Sequence, residues 1–300
     1  MTAGSLSGGT FDLQPTLAGR ARAVGLAVLY LVAFALLLAA FVFGLAWAGF
    51  APLVRAGQLP PQQSFMREWA DAAAAVLAVV ALASLTREPM ARFGFATRWA
   101  GRDFLTGVVA SLAMMAALFG VLAALGAYQF KGLALAPDRI LPTAVFYALF
   151  SIGVGVFEET LFRSFFLVAL SRAFSFWPAA VITGVLFGLA HVGNPAEAPL
   201  GLAVAGLGGV VFAYAFRRTG AIWFAIGFHT ALAYTEDFVF GVPDSGNRVA
   251  QGALLHPIVR GPDWLTGGSV GPEGSVLALV MIVALALIVR FLLPRRAAPL

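Results

Sequence analysis

Apolar residues run along this chain in stretches far longer than the alternation of a half-buried strand or the single stripe of a surface helix. Such runs occupy residues 24–50, about 70–85, 103–126, 140–170, 177–190, 199–216, 222–240 and about 276–293. A helix rising 1.5 Å per residue needs roughly 20 apolar residues to cross a bilayer. The pattern therefore predicts an all-α, polytopic membrane protein of about eight transmembrane helices. The second run is short and is expected to continue an interfacial turn from Phe65 to Asp71.

The polar stretches divide the chain. Residues 1–19 form a Gly/Ser/Thr-rich lead, and 20–136 hold the first three helices. Residues 137–240 form a core of four helices carrying the rare ionisable groups. A Gly/Pro-rich loop, expected to be extracytoplasmic, spans 241–274, and 275–300 contain the last helix and a basic tail. The first loop carries Pro52, Pro60 and Pro61. Segment 87–102, with Arg87, Arg92, Arg98 and Arg102, has an amphipathic character expected of a stretch lying on the membrane surface. The first apolar run is too long for the core of a cleavable signal and is expected to be the first span.

Composition sharpens this picture. Hydrophobic residues make up 61% and charged residues only 11% of 300 positions, against about 25% charged in a soluble domain. The net charge of +5 does not argue for nucleic acid, because the basic residues are dispersed over short loops. With eight spans, twelve of the 19 Lys and Arg fall on the side of the termini and six on the other, with Arg163 inside the membrane. That bias predicts cytoplasmic N- and C-termini. The absence of cysteine removes thiol nucleophiles, disulfides and thiolate-bound metals.

One stretch breaks the apolar rule: Phe157-Glu158-Glu159-Thr160-Leu161-Phe162-Arg163. Ionised groups inside a membrane are costly unless paired, wetted or used. Glu159 and Arg163 share a helical face and are expected to pair. Glu158, about 100° round the helix, is left for chemistry. Two of the three histidines also fall in apolar runs, His191 and His229. Measured from the expected cytoplasmic ends, Glu158, His191 and His229 lie roughly 20, 21 and 14 Å deep. Comparable depth is what one intramembrane cluster requires; separate interhelical packing roles are the alternative.

A carboxylate in an apolar cavity beside imidazoles suits water activation at a peptide bond. Glycines at 184, 188, 193, 201, 206, 208, 209 and 227 would let helices approach and leave room for a substrate strand. Ser151 and Ser164 lack a Gly-x-Ser-x-Gly elbow, and no His-Glu-x-x-His string is present. A dispersed metal site from Glu158, His191 and His229, with zinc as the candidate, stays open.

The order Glu158-Glu159-x-x-x-Arg163, Phe187-x-x-x-His191, then Trp223, Ile226 and His229 resembles the CPBP family. These are the CAAX-processing and bacteriocin-processing intramembrane proteases related to Rce1-type prenyl-protein endopeptidases. The resemblance covers roughly 141–240. It implies that Glu158 activates water with His191 as partner, that Glu159, Arg163 and Phe187 support them, and that His229 helps form an oxyanion site. It leaves both a divalent metal and a metal-free glutamate mechanism open. It also implies a membrane-embedded or lipid-anchored protein substrate in the bilayer, in a bacterial inner (plasma) membrane. Where that family usually has Asn or Asp one turn after its last histidine, this chain has Ala233. Glu236, about two turns on, is expected to return to the face of His229. Glu236, Asp237 and Asp244, at a membrane exit, equally read as ordinary interfacial groups. The departure at Ala233 keeps a second reading in view, a catalytically weak relative acting as a scaffold or immunity-type binder. A transporter is a third.

Overall fold

The computed structural model describes residues 16–50, 60–249 and 251–296. Most of the polar lead, Pro52 and Arg55 of the first loop, and residues 297–300 lie outside these. Helix α1 (Leu17–Trp47) begins at Thr16, whose hydroxyl accepts the Gly19 amide at 3.1 Å. Helices α2 (Pro61–Thr86) and α4 (Pro137–Arg163) open on proline, whose missing N–H is harmless in a first turn. Between them run α3 (Ala100–Ala124) and strand β1 (Tyr128–Leu133).

Helix α4 stops at Ser164 (φ −96°, ψ −116°), and the chain restarts at once as α5 (Phe165–Phe174). The expected fourth span is thus two helices joined by a one-residue break just after Arg163. Then follow α6 (Phe176–Ala190), α7 (Pro199–Thr219), α8 (Trp223–Tyr234), β2 (Leu255–Val259), the single turn α9 (Asp263–Thr266) and α10 (Val276–Phe291). Helix α8 continues as a π-helical stretch, Thr235–Phe240.

Among the described residues, six helical segments are long and apolar enough to cross a bilayer, the α4–α5 pair counting as one. The expectation of eight is corrected in this respect. The other two runs, α10 with 16 residues and α8 with 12, are shorter. The run around α8 is divided between a turn before Trp223 and the π stretch from Thr235, which holds Glu236 and Asp237, and α10 stops at Phe291. The outward faces remain apolar: Leu36, Phe43, Leu105, Val109, Val283 and Leu287 are exposed. In water that surface would be untenable, whereas against lipid tails it is the favourable one. The chain is an integral membrane protein.

Two features lie outside the long helices. Segment 87–102, most of whose side chains are exposed or half-buried, is largely non-helical up to Trp99. It contains a short 3₁₀ turn, Met90–Phe93, and Phe93 is fully buried with its ring 4.7 Å from that of Phe165. The fold also contains one antiparallel ribbon, with Tyr128 opposite Val259 and Phe130 opposite Pro257. It fastens the 241–275 loop to the α3–α4 connection, helped by the Tyr128 hydroxyl donating to the Thr266 carbonyl at 2.9 Å.

Contacts between chain ends show which helix ends lie together. Arg172 donates to both carboxylate oxygens of Glu88 at 2.7 and 2.6 Å. Arg296 does the same to Asp103 at 2.5 and 2.9 Å. The arginine-rich ends of α2, α3, α5, α7 and α10 thus meet at one end of the bundle. The ribbon and the 241–275 loop occupy the other.

Candidate active site

The break at Ser164 leaves Glu158, Glu159 and Arg163 in the last turns of α4, where α4 packs against α2 and α8. Arg163 Nη1 lies 3.4 Å from Glu159 Oε1, and both side chains are wholly excluded from solvent. The guanidinium makes no ordinary hydrogen bond. Instead it sits 4.1 Å from the centre of the Phe187 ring and 5.6 Å from those of Phe162 and Phe212. Aromatic faces attract a desolvated cation, so three rings and one carboxylate share its stabilisation.

Close helix approach makes room for this. A Cβ at Gly209 would stand 2.6 Å from Arg163 Nη2 and 3.1 Å from the Cα of Gly184. On α8, a Cβ at Gly227 would fall 2.1 Å from the Phe104 carbonyl oxygen. Glycine at 227 brings α8 against α3.

His229 of α8 lies between the two glutamates. Its Nδ1 is 3.1 Å from Glu159 Oε1 and its Nε2 3.3 Å from Glu158 Oε2. A carboxylate anion only accepts, so the Nδ1–Glu159 contact is a hydrogen bond when Nδ1 carries the proton, whereas the approach of Nε2 to Glu158 is close but is not a hydrogen bond. Glu159 is therefore held from two sides, by Arg163 and His229. Glu158 is the more accessible carboxylate, with 17% of its side chain exposed.

His191 follows the last turn of α6. Its Nδ1 is 2.8 Å from the Phe187 carbonyl. A carbonyl can only accept, so that nitrogen is the donor, and the neutral ring keeps Nε2 as an acceptor. The Phe187 ring stands edge-on to His191 with centroids 4.8 Å apart, and the same ring carries Arg163.

Two cavities meet here, and His191, His229, Phe187 and Ser245 line both. The smaller, about 90 Å³, is walled by apolar groups including Met114, Met115, Phe212 and Leu285, and reaches Glu236. The larger, about 490 Å³, contains Glu158 together with Glu68, Asp71, Asp237 and Asp244. Arg67 lies on its wall, its Nε 2.8 Å from Asp71.

The structure thus brings Glu158, Glu159, Arg163 and His229 into one contact network. It places His191 and Phe187 on the same cavity walls. Glu236, in the π stretch, shares the smaller cavity with His229. Ala233 is buried one turn after His229. The sequence reading missed Glu68 and Asp71. The signal was available, since carboxylates beside an apolar run are costly unless used, but both fall in the Phe65–Asp71 stretch expected to be an interfacial turn. Asp237 and Asp244 also line the larger cavity rather than an outer surface. Burial and the nearby Glu273 and Asp237 carboxylates push Asp244 well above the usual range.

As arranged, Glu158, His191 and His229 do not form a compact donor set for a metal. Both His229 nitrogens face carboxylates. Among the described residues, the grouping whose donor atoms all fall within 4.8 Å of one another is Glu236, Asp244 and Glu273. Those three can hold a divalent ion.

Fold and site together define a polytopic membrane protein with a buried carboxylate, imidazole and guanidinium cluster at the meeting of two cavities. Residues 140–235 match the family model described as type II CAAX prenyl endopeptidase Rce1-like. That span runs from the start of α4 to the end of α8 and includes Glu158, Glu159, Arg163, Phe187, His191 and His229. The match and the buried acidic residues support protease-like function at the level of that family. No curated protein and no solved structure matches the chain.

Proposed function

We propose that the protein is an intramembrane endopeptidase that hydrolyses peptide bonds of membrane-embedded or lipid-anchored proteins, with Glu158 as the base that activates water. The observation that carries this is the division of labour between adjacent glutamates. Glu159 is sealed and held by Arg163 and His229, while Glu158 reaches a cavity large enough for an extended peptide.

In the reaction, Glu158 takes a proton from water as the water oxygen attacks the scissile carbonyl carbon. The tetrahedral species collapses with cleavage of the C–N bond, and the proton held by Glu158 passes to the departing nitrogen. His191, with Nδ1 committed to the Phe187 carbonyl, offers Nε2 to orient the water. His229 keeps Nδ1 on Glu159, and its Nε2, 3.3 Å from Glu158 Oε2 but not hydrogen-bonded to it, is left to donate to the developing oxyanion. Such base catalysis contributes roughly 10²- to 10⁴-fold, and polarising the oxyanion adds to it. The apolar surroundings keep bulk water from competing for these contacts.

A scaffold or immunity-type binder is the second reading, favoured by Ala233, an apolar side chain one turn from His229. Complementation separates the two. A deletion strain should accumulate uncleaved substrate, with rescue by wild type but not by Glu158→Gln. Full rescue by Glu158→Gln would favour the binder.

A further inference from the structure

The segment after α8 carries a second cluster that water activation does not use. Glu236, Asp244 and Glu273 present one carboxylate oxygen each within 4.8 Å of one another. Glu236 is completely buried, and among the described residues neither of its oxygens has a hydrogen-bond partner. Among the described residues no ion pair joins any of the three to an arginine or lysine. Glu273 does have donors: the Ser245 amide at 2.9 Å and the Ser245 hydroxyl. Those bonds orient Glu273 but leave Glu236 and the mutual repulsion unanswered. A fully buried, unpartnered carboxylate facing two half-buried ones without a counter-charge calls for a cation.

We propose that Glu236, Asp244 and Glu273 bind one hard divalent cation, calcium in preference to zinc, which clips the 241–275 loop to the end of the α8 run. The donors are all oxygen, with neither imidazole nor thiolate, and oxygen sets select calcium or magnesium over zinc. The ligands come from three places along the chain: the π-helical stretch, the turn at Asp244 and the 3₁₀ turn Pro272–Gly274. Backbone bonds already bring these segments together, Val242 N to Glu236 O at 3.0 Å and Gly246 N to Val270 O at 2.8 Å. The cation would lock that closure. Glu236 and Glu273 also line the smaller cavity beside His191 and His229, so the ion would neutralise one wall of it. This inference does not depend on the protease reading.

The test uses the full chain in nanodiscs of zwitterionic lipid, stripped with EGTA and EDTA, then titrated with calcium, magnesium or zinc. Calorimetry and thermal unfolding are followed together. The expected result is one calcium per chain, with Kd between about 10⁻⁶ and 10⁻³ M and a melting temperature that rises with calcium. Glu236→Gln and Glu273→Gln should each weaken binding at least about tenfold, while Glu158→Gln keeps wild-type affinity. If Glu236→Gln does not fold, Glu273→Gln carries the comparison. Wild type that gains no stability from ~10 mM calcium or magnesium would overturn the proposal. So would undiminished calcium affinity in the Glu236 and Glu273 variants. Binding of zinc alone, abolished by His191→Ala, would overturn it as well.

Discussion

His229 Nδ1 lies 3.1 Å from Glu159 Oε1, a contact between α8 and α4 across the middle of the bundle. It decides how two neighbouring glutamates come to differ. Adjacent residues on a helix point about 100° apart, so one arginine on that helix cannot serve both. Arg163 takes Glu159, His229 touches both, and only Glu158 keeps access to the larger cavity.

The Arg163–Glu159 pair should be essential to folding. Arg163→Ala would leave a buried carboxylate without its cation, and one-sided loss of a buried pair costs about 3–5 kcal/mol. Arg163→Lys keeps the charge but loses the planar group over Phe187, so its cost should be smaller. Combining Glu159→Gln with Arg163→Ala should recover part of the loss. Unfolding in nanodiscs, read as a double-mutant cycle, checks all three.

Space for that guanidinium is a separate requirement. Gly209→Ala places a methyl 2.6 Å from Arg163 Nη2 and should destabilise by about 1–3 kcal/mol. Gly208→Ala is the internal control. Its new Cβ meets only Ile282 Cδ1, at 3.4 Å, and should change stability by less than about 1 kcal/mol. Equal effects at the two positions would contradict the packing argument.

Much of the site was legible because an ionisable residue in an apolar run is conspicuous. Glu158, Arg163, His191 and His229 each stand out against their own helix. Much of what surrounds them was not legible. Phe187 stood out only through the motif it shares with His191, Phe212 looks like any apolar helix residue, and only packing of α6 and α7 against α4 makes them a cage for Arg163. Ser164 sits among helix-forming neighbours that give no sign of a break. Strand β1 is short, interrupted by Gly132, and finds its partner more than 120 residues later. Glu236, Asp244 and Glu273 are far apart in sequence, and nothing local marks them as one cluster.

Arg172 and Glu88 supply a pH-dependent prediction at the arginine-rich end. Two hydrogen bonds from Arg172 hold Glu88 below the usual carboxylate value of 4.5. A depressed carboxylate stabilises the fold above its unfolded pKa, and the contribution fades as pH falls through the lower folded value. The stability gap between wild type and Glu88→Gln should thus be constant near neutral pH and close as pH falls below the ordinary carboxylate value of 4.5 and through the lower folded value. A gap that widened with acid would have the wrong sign.

Membrane sidedness can be read directly, because the chain has no cysteine and any introduced one is unique. Arg98 lies at the arginine-rich end and Arg260 beside the ribbon, and both are exposed. Arg98→Cys should be labelled by an impermeant reagent only from the cytoplasmic side, and Arg260→Cys only from the opposite side. Labelling of both from one side would refute the expected topology.

Chelation experiments need the second cluster in mind. If calcium clips the 241–275 loop, stripping it lowers stability, and activity falls even though no metal touches the scissile bond. Zinc dependence of catalysis would show as activity restored by zinc and not by calcium. Restoration by calcium alone fits a metal-free Glu158 mechanism on a cation-braced fold.

The most direct test of Glu158 as base is cleavage of a membrane-tethered peptide by purified wild type and Glu158→Gln in nanodiscs, with thermal unfolding measured on the same samples. Removing a general base should lower the cleavage rate by about 10²- to 10⁴-fold, while the melting temperature stays near that of wild type because Glu158 is the accessible carboxylate. Cleavage by Glu158→Gln within a few-fold of wild type, from an equally stable protein, would contradict the account.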